Sequence, residues 1–126
     1  MPALNFKKEF AHLVELGLKD PNHPNAKRQT IRAQRKDGRD PKPGDHLYLY
    51  TGMRTVSCRK IGDTTCKSVE PIAIEGSGKV VVGTKVMNLE EEEKFARADG
   101  FPSACEFLSF FEKTHGFPFY GFLYKW

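Results

Sequence analysis

A chain of 126 residues is the length of one domain, enough to enclose a single core. Hydrophobic residues make up 39% and charged residues 29%, the balance of an ordinary soluble protein and not of a disordered one. No apolar run nears the ~20 residues that cross a bilayer, and the formal charge is +4.

In chain order, residues 4–18 read as a short strand running into an amphipathic helix. Phe6, Phe10, Leu13, Val14 and Leu18 recur at helical spacing, with Lys7, Lys8, Glu9 and Glu15 between them. Pro21 and Pro24 stop that helix near residues 17–20. Residues 29–32 predict a strand and residues 36–44 a loop rich in Asp, Gly and Pro. Residues 46–51 alternate behind a Pro43-Gly44-Asp45 turn and predict another strand. Gly52 breaks it, and residues 54–60 are expected to continue as its bent or hairpin partner. Two strands, 69–75 and 79–86, flank a Gly76-Ser77-Gly78 turn. A helix over 89–98 capped by Gly100, a second over 103–113 after Pro102, and an aromatic strand over 119–126 follow. This order predicts an α+β fold: a small mixed β-barrel with an N-terminal helix and two later helices packed at its side. Residues 1–126 form one domain.

The charge is uneven. Residues 1–67 hold 14 Lys plus Arg against 7 Asp plus Glu, and residues 68–126 hold 6 against 9. Lys27, Arg28, Arg32, Arg35, Lys36, Arg39 and Lys42 concentrate the cations, and such a field attracts phosphate backbones. Cys58, Cys66 and Cys105 are odd in number with no CxxC pair, which predicts reduced thiols in a cytoplasm. The segment MPALNFKKEF lacks the apolar stretch of a secretory signal.

Within the basic stretch, Asn25-Ala26-Lys27-Arg28-Gln29-Thr30-Ile31-Arg32 resembles the ASCH family signature, Gly-x-Lys-x-x-Thr-x-Arg. Lys27, Thr30 and Arg32 match. Asn25 stands in place of Gly, and Asn is the next best residue for a left-handed backbone. The resemblance extends through Pro43-Gly44-Asp45, Ala98-Asp99-Gly100-Phe101 and the closing strand to Trp126, so it spans nearly the whole chain. The family is similar in fold to PUA-type barrels that bind RNA. Some bacterial members resemble amidohydrolases that remove the acetyl group from acetylcytidine, and at least one is associated with RNA cleavage. The resemblance therefore implies a basic cleft that binds RNA or a modified nucleoside, with Lys27, Thr30 and Asp99 as working residues. Asp99 is shorter than the Glu of the amidohydrolases. No cofactor, metal, membrane or obligate protein partner is implied.

The chemistry of these residues is consistent with such a site. Residues two apart on a strand share a face, so Thr30 and Arg32 point the same way, with Lys27 just ahead of them. A threonine hydroxyl is a poor nucleophile until a base takes its proton. A lysine acts as that base only if desolvation or neighbouring cations, here Arg28 and Arg32, lower its pKa. Arg32 alternatively binds a phosphate or an acyl oxyanion. Asp99 protonates a leaving amine or holds a base edge, or else simply turns the chain before Gly100. Tyr48 and Tyr50 share a face and are either base-stacking or plain barrel residues. Arg54, behind Gly52, is a candidate phosphate or base contact. Glu90 to Glu93 read as the solvated start of a helix. Cys58, Cys66 and His46 fit no zinc spacing, and His12, His23 and His115 are scattered. Phe107, Leu108, Phe110 and Phe111 read as core. Three activities remain open: RNA binding without turnover, a metal-independent amidohydrolase with Thr30 as nucleophile and Lys27 as base, and a small ribonuclease.

Overall fold

The computed structural model describes residues 3–35 and 38–126; Lys36 and Asp37, expected in the basic loop, lie outside the described residues. The elements run β1 (Ala3–Phe6), α1 (Lys8–Lys19), β2 (Gln29–Ala33), β3 (His46–Thr51), β4 (Arg59–Thr65), β5 (Ser68–Ile74), β6 (Val80–Val82), β7 (Lys85–Val86), α2 (Leu89–Ala98), α3 (Ala104–His115) and β8 (Phe119–Lys125). The helices fall where apolar periodicity and stop signals place them. Asn88 caps α2 by accepting from the Glu91 N–H at 2.8 Å, while the Glu91 carboxylate accepts from the Asn88 N–H at 3.1 Å. Ser103 caps α3, accepting from the Glu106 N–H at 3.2 Å.

Two expected strands differ. The partner of β3 begins at Arg59, not at residue 54. Gly52 and Arg54 both take positive φ, 65° and 67°, and Gly52 O accepts from the Thr55 N–H and hydroxyl, so the chain turns there before it can pair. The strand expected over 79–86 is split into β6 and β7 by a turn at Gly83, whose φ is 62°.

The strands form two sheets, ordered β1-β3-β4 and β2-β8-β5-β6-β7. β1 runs parallel to β3; every other pairing is antiparallel. The fold is thus α+β with three helices and strands in short runs, but no closed barrel is found among the described residues. Among the described residues each sheet keeps two edge strands, β1 and β4 in one and β2 and β7 in the other, so two seams stay unpaired. At the one between β1 and β2, Arg32 Nη2 donates to Asn5 O at 2.7 Å and Arg35 Nη2 donates to Ala3 O at 3.1 Å. Side chains, not backbone groups, bridge the slot. Among the described residues no helix is long and apolar enough to cross a membrane.

Alternation along β8 divides the core. Phe119 and Leu123 enter one cluster with Ile31, Ile72, Ile74, Phe95, Phe107 and Phe111, beneath α2 and α3. Tyr124 and the following Trp126 enter a second with Leu4, Phe6, Val14, Leu47 and Leu49, beneath α1. Phe107 is central to the first, with ring centroids of Phe95, Phe101 and Phe111 at 5.7, 5.5 and 4.9 Å. Phe107→Ala should lower the unfolding free energy by ~3–5 kcal/mol, read by urea denaturation; a loss below about 1 kcal/mol would show that this cluster does not bear on stability.

Candidate active site

The slot between β1 and β2 opens into a cavity of about 280 Å³. Its wall includes Lys27, Thr30, Arg32 and Asp99, with Phe6, Phe10, Phe101, Phe110 and Phe111 as apolar lining. The four polar residues expected to work together therefore meet. Lys27, Thr30 and Asp99 are only 3%, 4% and 3% exposed.

Close backbone approaches set this up. The Lys27 N–H donates to Leu13 O of α1 at 3.1 Å, and a Cβ at Gly17 would sit 3.1 Å from Lys27 O, so α1 presses directly on the segment holding Lys27. Gly100 takes φ +99°, and a Cβ there would meet Phe10 Cδ1 at 2.9 Å and Lys27 Cδ at 3.2 Å. Glycine is needed on both counts to bring Asp99 beside Lys27. Thr30 and Arg32 share a face of β2, and Thr30 is registered opposite Tyr124 of β8.

The Lys27 ammonium lies 3.3 Å from Asp99 Oδ1 and also donates to the Asp99 backbone carbonyl. It stands 5.3 Å from the Phe10 ring centre and 6.0 Å from that of Phe6, within cation–π range. Burial pushes the Lys27 ammonium below the usual lysine range; the Asp99 charge and hydrogen bond oppose this, and the Arg32 charge adds to it. Burial likewise pushes the Asp99 carboxyl up, against the Lys27 charge, hydrogen bonds from Gln29 and Lys27, and the Arg32 charge. The Arg32 Nε–H donates to Thr30 Oγ1 at 3.0 Å, and its guanidinium carbon lies 5.0 Å from the Phe6 ring centre. With Arg32 occupying an acceptor position of Thr30, the hydroxyl proton is left to point elsewhere.

The other expected contacts lie apart from this cavity. The Arg28 Nη2–H donates to Trp126 O at 2.6 Å and lines a separate concavity of about 370 Å³ with His23, Lys67 and Lys125. Tyr48 lies 4.6 Å from the His46 ring and 5.1 Å beneath the Lys60 ammonium, which pairs with Asp63 at 2.7 Å. Tyr50 is registered beside Asn5 across the β1–β3 pairing. Arg54 occupies the exposed turn after β3; the neighbouring Met53 N–H donates to Asn5 Oδ1 at 3.1 Å, which ties that turn to the cavity rim.

Sequence reasoning missed several residues. Gln29, 6% exposed, donates from Nε2 to Asp99 Oδ1 at 3.4 Å. His115, read as scattered, lines the cavity beside Thr114, and burial lowers its pKa. Glu92, read as solvated, is buried and accepts from the Val80 N–H at 3.4 Å, while Glu93 accepts from the Ala104 N–H at 3.2 Å. Among the described residues no group of three or more His, Cys, Asp or Glu gathers to hold a metal. In comparisons with known proteins, no family model matches the chain, and no curated protein or solved structure matches it significantly.

The raised Asp99 carboxyl gives a pH signature. In the window above its ordinary 3.8, the folded protein holds a proton that the unfolded chain releases, so stability from this group falls as pH rises. Asp99→Asn removes that dependence. The stability advantage of wild type over the variant, measured by urea denaturation from about pH 4 to about pH 7, should shrink as pH rises. A constant difference would exclude a raised carboxyl.

Proposed function

We propose that the chain is an ASCH-type domain whose cavity takes a modified nucleoside of the acetylcytidine type and hydrolyses its acyl amide. The observation that supports this best is the meeting of an amine, a hydroxyl, a guanidinium and a carboxylate on one aromatic-lined cavity. A volume of about 280 Å³ suits a single nucleoside better than a helical RNA. The flat walls supplied by Phe10, Phe101 and Phe110 suit a base. In this reading the two sheets are the halves of a PUA-like barrel, parted between β1 and β2 to admit the ligand.

In the reaction the Thr30 oxygen attacks the acyl carbon and its proton passes to the Lys27 amine, the form that burial favours. Arg32, whose Nε–H holds Thr30 Oγ1 in the free protein, lies close enough to the nucleophile to meet the acyl carbonyl oxygen as that oxygen gains negative charge. The amide C–N bond breaks, and Asp99, in the protonated form that burial favours, gives the departing amine its proton. Water, giving a proton to the Asp99 carboxylate, then attacks the threonyl ester; the ester C–O bond breaks, the acid leaves, and Lys27 returns its proton to the Thr30 oxygen, which resets both groups. Nothing in the sequence of bond changes requires an oxidant or reductant.

A second reading, RNA binding in a cytoplasmic setting, is favoured by the concavity around Arg28, Lys67 and Lys125, whose wall contains no carboxylate side chain. Acetate release from acetylcytidine, followed by mass spectrometry beside a set of short RNAs, separates the two. Thr30→Ala should lower acetate release by at least about a hundredfold while the thermal melt stays cooperative. Undiminished turnover rules out the threonine nucleophile, and salt-sensitive RNA retention without any product favours the second reading.

A further inference from the structure

Among the described residues, the side-chain contacts to the Asp99 carboxylate converge on one oxygen. Lys27 Nζ lies 3.3 Å from Oδ1, and Gln29 Nε2 donates to the same Oδ1 at 3.4 Å. Lys27 is also anchored on the Asp99 carbonyl, so its position is set by the end of α2. Gln29 arrives from β2, where it lies between the two segments of the motif: two residues after Lys27 and one before Thr30. At 6% exposure it is an amide placed in the interior, where a polar side chain is costly unless it is bonded.

We infer that Gln29 is a positioning residue, which holds Asp99 by Oδ1 so that the other carboxylate oxygen is the one offered to the ligand in the cavity. As a positioning role for the proposed hydrolysis it rests on that reading, but the hold on Asp99 exists in the free protein and can be measured there. An amide suits the task better than any charged or apolar side chain. Its N–H donates to Asp99 Oδ1, which favours the ionised carboxylate and leaves the other oxygen to carry and release the proton. A methionine of similar length cannot donate, and a carboxylate at this position would repel ionised Asp99.

The test follows the Asp99 carboxyl by carbon NMR in protein labelled at aspartate, with the Gln29 side-chain nitrogen observed in parallel. In the unsubstituted protein the Gln29 amide resonance should move with the Asp99 titration, with the same midpoint. In Gln29→Met the loss of a donor to the ionised form should move that midpoint upward. Gln29→Asn, which keeps the amide but shortens its reach, should fall between. Acetate release by Gln29→Met should drop roughly tenfold in kcat with little change in KM, and Gln29→Asn should recover part of it. A Gln29 resonance indifferent to the Asp99 titration overturns the inference, even if Gln29→Met fails to fold. Absence of acetate release from wild type defeats the hydrolysis instead, and leaves the two titrations to decide on Gln29.

Discussion

Two opposite charges, Lys27 and Asp99, are removed from water almost completely, and the region between α1, β2 and α2 is built around keeping them together. Each would cost several kcal/mol to desolvate alone, and only mutual attraction together with further hydrogen bonds offsets this. The structure supplies both: the ammonium also reaches the Asp99 carbonyl, and Gln29 adds a donor to the carboxylate. Close approaches at Gly17 and Gly100 set the backbone and the Lys27 stem tightly against α1 and the end of α2. The rings of Phe6 and Phe10 lie within cation–π range of the ammonium. Burial pushes the ammonium down and the carboxyl up, and the charge of each partner opposes the shift of the other.

The slot beside the pair has a similar logic. An unpaired strand edge invites association with other chains, and β1 and β2 present two such edges to one another. Arg32 and Arg35 occupy carbonyls of β1, so the edges are bridged without being zipped shut. Arg32 serves two purposes at once, since its Nε–H holds Thr30 while Nη2 holds Asn5. Asn5 and Arg32, which meet across this gap, both line the cavity.

Much of this was legible in the residues, and the limits are physical. Helices α1, α2 and α3 follow from local apolar periodicity, caps and prolines, all of which act within a few residues. Lys27, Thr30 and Asp99 were singled out through a motif, and they do meet. Gln29 lay inside the same motif, but the need of a buried carboxylate for a second donor appears only once α2 is docked. Strand alternation showed that Tyr48 and Tyr50 share a side, but not that Tyr48 lies against the tilted His46 ring and beneath the Lys60 ammonium, outside the cavity lining. Arg28, adjacent in sequence to Lys27, was expected beside it and instead reaches Trp126. Phe101, Phe110 and Phe111 are both core and cavity wall, a dual role that hydrophobic spacing cannot separate. The closed barrel was not found among the described residues, because closure depends on whether the distant edges of the two sheets meet, and no local pattern encodes that.

Strand β2, which supplies Thr30 and Arg32, has a single sheet neighbour, and that neighbour is β8. On a ribosome, β2 therefore leaves the exit tunnel long before the strand that will clasp it has been translated. The Asp99 partner of Lys27 is itself 72 positions away. Such remote pairings delay folding, because loop closure must precede any reward. The groups that line the cavity therefore remain apart through most of translation, and the pocket arises only when synthesis has reached the far side of the sheet.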